Sequence, residues 1–542
     1  MRKQLVNIVV LCLAMIPLVV GCQTVSGPVA IHDLKKRAEI LEPSDLHNKP
    51  TDKMQTGTYS NESVCKKLLS SAQLMVSQGD YEKATTFSAK AMLLDPKSQM
   101  AAEMMQQICE NFQGKRAILF LAMLSLSTDK QIRDLAAQAI LSSDRENILS
   151  QLLQELEKKN VGFFGSTLND MSHMSELHTA CMLGDGRVLL LGDEEESGPA
   201  ASISGMPRVT MSHTSVEYYN PKTMFFERLP TPKFYVGASH GGSVLLQNGH
   251  CFLLGIGKEE KWLFSPKENK FISCPDSAHV SVRRWPAVNL LPDGRVLITG
   301  GSDDDFIPLS SVEIYNPDTG KWKINPASMR VARVNHQATE LSDKRILITG
   351  GETTGELATK TAEIFDPLSR EFSVIQDKMS QARTDHAAVL LKNGKVLIAG
   401  GLPESWSMEG EELNSAEIFD PNTNRFIAVK SHMEQGRSGH CGILLNDGRV
   451  LIIGGGQRGN GKVELFDPTK TLFLPVHVPM RCRRRQDFTA TKLNDGTVLI
   501  AGGRGHRDSG PYTYLSTEIY YPPDKVQMGF NVYLKLFLLE EK

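Results

Sequence analysis

Arginine recurs five times at one position of a repeated pattern, at Arg283, Arg333, Arg383, Arg437 and Arg485. A guanidinium presents five donors in a planar fork that matches a carboxylate, so these five are candidate contacts for a carboxylate or acidic-peptide ligand. Glutamate recurs six times, at Glu217, Glu313, Glu363, Glu417, Glu464 and Glu518, and the copy that has Trp262 there has Ala238 in place of arginine. The two residue types can therefore neutralise each other inside one unit, and the sequence leaves both readings open. His178, His336, His386 and His440 share another position. Units arrayed around a ring hold such imidazoles apart, beyond the ~2 Å bonds of a common metal ion, so packing is expected and no metal or other cofactor is. Arg481, Arg483, Arg484 and Arg485 form the densest positive patch, read as a solvated loop that can add to the pull on an anion. Glu194-Glu195-Glu196 and Asp303-Asp304-Asp305 lack the glycine and spacing of a calcium loop and read as solvated. Trp406, Tyr512 and Tyr514 fall in variable loops and are candidate binding anchors.

The amino terminus carries a different chemistry. Arg2 and Lys3 precede an apolar run from Leu5 to Val20, which ends in Leu18-Val19-Val20-Gly21-Cys22. The layout is that of a secretory signal, and the small residue before cysteine resembles a bacterial lipobox. That resemblance implies cleavage after residue 21, a lipid on the Cys22 sulfur and a membrane attachment through it. Gln23 stands where an aspartate would resemble an inner-membrane retention signal, so the expected location is the cell envelope, at the outer membrane. Residues 22–60 are polar with Pro43, Pro50 and Gly57 and read as a tether. Beyond Cys22 no C-x-x-C pair occurs, and neither a zinc site nor a disulfide framework is expected.

Behind the tether, residues 61–160 carry apolar residues at helical spacing, with breaks at Gln78-Gly79, Pro96, Gly114, Thr128 and Ser142-Ser143. Six helices in three antiparallel pairs are predicted. The stretch from Gly79 to Pro96 resembles one tetratricopeptide repeat, with Gly79 at a turn and Ala84 and Ala91 where helices approach closely. A TPR-like all-α domain is thus expected, as a protein-binding surface or as a spacer.

From 161 to 530 a unit repeats seven times: His-x-Ala-x-x-Leu, an Asn-Gly or Asp-Gly turn, Val-Leu-Ile, Gly-Gly, a variable loop, then Glu-Ile-aromatic-x-Pro. Its first end-of-strand glycine falls at Gly192, Gly255, Gly300, Gly350, Gly400, Gly454 and Gly502. Asx-Gly supplies the positive φ of a tight hairpin, and proline stops the third strand because it has no N–H for the ladder. A fourth strand is expected around Trp322, Phe372, Phe426 or Phe473. The unit resembles the kelch repeat of galactose oxidase-like β-propellers. The resemblance implies a mainly β chain with a seven-bladed kelch propeller behind the helical domain. Either Phe163-Phe164 or the apolar tail from Phe530 to Leu539 can supply the sealing strand, and residues 531–542 are otherwise a tail.

The charge balance, 60 Lys plus Arg against 62 Asp plus Glu, excludes a nucleic-acid-type basic protein. Two functions compete. The first is a non-catalytic scaffold binding a protein or glycan of the cell envelope through the propeller face and the helices. The second is a carbohydrate-active enzyme, similar to sugar oxidases or sialic-acid mutarotases, working at the centre of the ring. Against the oxidase stand the lack of a Tyr-His dipeptide and only about 20 residues after the last repeat, where a copper-ligating domain is expected by resemblance. No catalytic residue is assigned.

Overall fold

The computed structural model describes residues 61–112, 115–142, 145–172, 179–195, 211–230, 242–255, 261–274, 282–355, 357–404, 411–456, 462–482, 486–507, 510–513 and 516–540. Residues 1–60, including Cys22, lie outside them, as do His178, Trp406, Arg483, Arg484, Arg485 and Tyr514.

Six helices open the described chain: α1 (Asn61–Ser77), α2 (Tyr81–Leu94), α3 (Gln99–Asn111), α4 (Arg116–Ser125), α5 (Lys130–Leu141) and α6 (Arg145–Lys159). Their breaks fall where glycine, proline and capping residues predicted them. Gly79 turns at φ +76°, and Asp80 then caps α2 by accepting from the Lys83 N–H at 3.1 Å. Ala84 and Ala91 are fully buried, and α1 lies against α2 as a hairpin.

The rest is a ring of seven antiparallel blades, each built on four strands, with a fifth, Gly510–Thr513, added to the last. Blade 3 shows the plan: Ala287–Leu290 innermost, then Val296–Thr299, Val312–Asn316 and Lys321–Ile324 outermost. Innermost strands touch in succession around the whole circle, the last against the first. Each blade is bolted by an aromatic on its third strand facing one on its fourth, such as Tyr315 against Trp322 with ring centroids 4.8 Å apart and Phe365 against Phe372 at 5.0 Å. The seventh pair settles how the ring closes. Its fourth strand is Phe163–Ser166, from ahead of the first blade, and Phe164 meets Tyr520 at 5.0 Å. The apolar tail is not a strand but a helix, α7 (Val526–Glu540).

Helices and propeller share one core. Phe120 of α4 stacks on Tyr533 of α7 at 4.1 Å and leans on Phe163 at 5.4 Å. The Tyr533 hydroxyl donates to the Ser166 carbonyl at 2.6 Å across Gly165, where a Cβ would sit 2.1 Å from the Tyr533 oxygen. The boundary expected near residue 160 is thus a change of secondary structure, inside a single compact unit from Tyr59 to Lys542. Among the described residues no helix is long and apolar enough to cross a membrane.

Hairpins between first and second strands carry Asx-Gly at positive φ, from +81° at Gly394 to +91° at Gly448 and Gly496. Blade 4 departs from this, with Lys344 at φ +73° in the glycine slot. A side chain there costs about 1 kcal/mol that glycine avoids. Lys344→Gly should therefore stabilise the protein by roughly that amount, read as a higher denaturation midpoint, despite the loss of the exposed Lys344–Glu340 pair.

Candidate functional site

Antiparallel order gives the ring two faces. One bears the Asx-Gly hairpins; the other bears the loops after Gly-Gly and the segments leading into each innermost strand. The recurrent arginines belong to the second face, and the four that are described point into the blades with 0–3% of their side chains exposed.

Arg383 shows why. Its Nη1 donates to the Gly400 carbonyl at 2.8 Å and the Ser415 carbonyl at 3.1 Å, and its Nη2 to Ser415 Oγ at 3.0 Å and Glu417 Oε1 at 3.1 Å. Arg283 with Glu313, Arg333 with Glu363 and Arg437 with Glu464 repeat the pairing at 2.9, 2.8 and 2.6 Å. The glutamate also holds the segment that leads into its blade: Glu417 accepts from the Ser380 N–H and Glu363 from the Arg330 and Val331 N–H groups. Burial pulls the Arg333, Arg383 and Arg437 guanidinium groups below their ordinary value while each carboxylate pulls back. Arginine starts so high that the cation persists. The Gly-Gly pairs complete the joint. A Cβ on Gly350 would lie 2.2 Å from the Arg383 carbonyl of the next blade, and φ is +60° there and +94° at Gly351. Only glycine lets the blades approach so closely.

His336, His386 and His440 lie between blades. His336 Nε2 is 3.0 Å from Thr299 Oγ1 and His386 Nε2 is 2.9 Å from Thr349 Oγ1. Burial, then the neighbouring arginine cations, drives both imidazoles down to about 3, so they are neutral at any physiological pH. Among the described residues no three His, Cys, Asp or Glu side chains come together as metal ligands.

Arg481 corrects the expectation of a solvated basic loop, because it is buried between the helices and blade 7. Its Nε donates to the Cys109 carbonyl at 2.7 Å, its Nη2 to the Phe112 carbonyl at 3.3 Å and its Nη1 to Asp170 at 3.0 Å, while Gln106 Nε2 donates to the Arg481 carbonyl at 2.7 Å. Burial would raise the Asp170 carboxyl, but Arg481 and Arg116 beside it hold it below its usual value.

On the Gly-Gly face of blade 3 an apolar cluster stands in the open. Phe306 is 60% exposed and Ile307 52%, with Trp285 6.3 Å from the Phe306 ring and the Arg284 guanidinium 5.1 Å above it. The loop is tied down: the Asp303 N–H donates to the Ile307 carbonyl at 3.1 Å, and Arg284 and Ser302 exchange two backbone bonds at 2.9 Å. Trp285 (φ +50°) and Phe306 (φ +60°) are both in the left-handed region, which is costly for bulky side chains. The equivalents of Trp285 in the following blades are Asn335, Asp385, Gly439 and Asp487, residue types that tolerate it. Sequence reasoning passed over this cluster, although a tryptophan in a slot that the four following copies fill with Asn, Asp or Gly is visible once those copies are aligned. Of the anchors it did choose, Tyr512 lies in the strand Gly510–Thr513 of blade 7; Trp406 and Tyr514 lie outside the described residues.

Residues 286–503 match the family described as the KLHDC2/KLHL20/DRC7 Kelch-repeats domain. The ring is therefore a kelch-repeat β-propeller with seven blades, preceded by a helical segment. It also resembles the solved structure of a fungal alcohol oxidase of the AA5 family in complex with copper, with a TM-score of 0.51 and 16% identity over 67% of this chain and 77% of that one. Such a likeness is one of fold.

Proposed function

We propose that this protein is a lipid-anchored scaffold of the cell envelope that binds another protein through the Gly-Gly face of its propeller. The observation that carries the reading is the exposed Phe306–Ile307 pair beside half-buried Trp285 on a tied-down loop, next to recurrent arginines whose guanidinium ends are paired inside the blades. Rigid exposed aromatics next to an arginine are the usual composition of a binding hot spot, and kelch propellers generally serve protein interaction. A catalytic use of the ring would call for carboxylates or histidines from several blades converging at its centre. His336 and His386 instead sit between blades against threonines. Lipid attachment at Cys22 rests on the sequence of residues 1–22 alone.

A photo-crosslinking amino acid placed at Phe306 in cells should give a discrete adduct with one protein. The same group at Leu368, on the opposite face, should give none. In the same cells Cys22→Ser should move the protein from the detergent phase to the aqueous phase. Equal labelling from both positions would sink the scaffold reading, and an unchanged partition would sink the anchor.

A further inference from the structure

Two of the seven cysteines among the described residues come together across a blade junction. Cys181 is the third residue of the innermost strand of blade 1, Thr179–Met182, and Cys251 opens the second strand of blade 2, Cys251–Leu254. Both are buried, at 4% and 0% exposure, in one apolar cluster with Leu189, Leu253 and Phe264. The two thiols are hydrogen-bonding neighbours, and burial, then the Cys181 thiol beside it, pushes Cys251 well above the ordinary thiol value. Their other contacts are long and local, Cys181 to the Met182 carbonyl at 3.9 Å and Cys251 to the Phe252 carbonyl at 3.7 Å. The place is otherwise one for aliphatic side chains. The equivalent of Cys251 is valine or isoleucine in every other blade: Val188, Val296, Ile346, Val396, Val450 and Val498. At three other junctions the same two positions carry Val244 with Val296, Val389 with Val450 and Ile443 with Val498, each pair within one cluster. Cysteine fills both positions only between blades 1 and 2. That junction leads into blade 2, which has Ala238 and Trp262 in place of the recurrent arginine and glutamate. It therefore lacks the buried ion pair whose glutamate clasps the segments leading into blades 4 and 5.

We infer that Cys181 and Cys251 close into a disulfide when the chain folds in an oxidising environment, a covalent tie between blades 1 and 2 where the polar clasp is missing. Both are free thiols in the structure, so the bond needs a co-reactant, the disulfide of a small thiol or of a thiol oxidoreductase. The Cys181 thiolate attacks one sulfur of that disulfide and expels a thiolate; Cys251 then attacks the Cys181 sulfur of the mixed disulfide and expels the second. Two protein thiols become one S–S bond, the reagent is reduced to two thiols, and the two protons pass to it. Cys181 reacts first because it retains a little exposure and Cys251 has none. Buried thiols are poor nucleophiles, so the bond forms as the blades assemble rather than afterwards. Closing a loop of about 70 residues restricts the unfolded chain and thereby stabilises the folded one. One such bridge is not a framework, and no local spacing announces it, because its two halves lie in different copies of the repeat.

The test refolds the full-length chain in a buffer of reduced and oxidised glutathione, blocks the remaining thiols with N-ethylmaleimide and maps the peptides by mass spectrometry. A peptide linking Cys181 to Cys251, two hydrogens lighter than its parts, should be the dominant cross-link, with Cys65, Cys109, Cys274, Cys441 and Cys482 blocked as thiols. Incubating the native chain with oxidised glutathione in urea below its unfolding midpoint gives the same readout without refolding. The bridged chain should melt a few degrees above the reduced one, and dithiothreitol should remove the difference. Cys181→Val with Cys251→Val copies the Val389 and Val450 pair between blades 5 and 6. That variant should fold, and it should lose both the linked peptide and the response to dithiothreitol. A folded chain with Cys181 and Cys251 both blocked overturns the inference, as do linkage to other cysteines in comparable yield and a bridge that lowers the melting temperature. The scaffold reading is decided separately by the Phe306 crosslink, and neither result settles the other.

Discussion

Arg383→Ala should lower stability by about 3–5 kcal/mol, because it leaves the buried Glu417 carboxylate and the Gly400 and Ser415 carbonyls without their donor. Replacing both partners together, Arg383→Met with Glu417→Leu, should recover most of that loss, since an apolar pair of similar size needs no neutralisation. Chemical denaturation of the two single variants and the double variant forms a cycle whose coupling should exceed about 2 kcal/mol. A small stability loss in Arg383→Ala accompanied by loss of partner crosslinking would return the arginine to a binding role. The same cycle on an exposed pair such as Lys344–Glu340 should give almost no coupling.

Arg481→Ala should be as damaging, and its effect should appear in a different place. The side chain joins three groups that otherwise have little reason to meet: the carbonyl end of α3 at Cys109 and Phe112, the Asp170 carboxylate, and blade 7. Its loss leaves the Asp170 carboxylate with Arg116 at 3.2 Å as its one remaining cation beside the Thr517 N–H, at a cost of about 3 kcal/mol or more. Hydrogen exchange should rise first in α3 and in the segment around Asp170, ahead of the blades. Arg481→Lys should restore little, because one ammonium cannot reach the positions that a planar fork spans. Uniform destabilisation of all seven blades would contradict the assignment of Arg481 as the joint between helices and ring.

These two arginines show what a one-dimensional reading can and cannot see. Arg383 repeats about every 50 residues together with a glutamate that always stands four residues before the repeat's proline, so internal pairing is one of the two readings the sequence itself offers. Arg481 obeys no repeat. Its partners Cys109 and Phe112 lie 372 and 369 residues away in a segment of different secondary structure, and nothing in local spacing announces such a contact. The count of blades was legible for the same reason as Arg383, since hairpin turns and Gly-Gly pairs are local requirements that each copy must meet. The left-handed backbone at Trp285 was not, because a tryptophan before Pro286 is biased on local grounds toward the extended region.

The strand Phe163–Ser166, paired to Thr517–Tyr521, imposes an order on biosynthesis. Every other blade can be assembled from one contiguous run of chain, but this one joins segments separated by some 350 residues. As the polypeptide leaves the ribosome, the strand that will complete the circle emerges ahead of all the others and has no mate until translation has passed Tyr521. The nascent chain must keep that edge harmless throughout this interval. A truncation before Thr517 should accordingly leave an open arc with a free edge at each end.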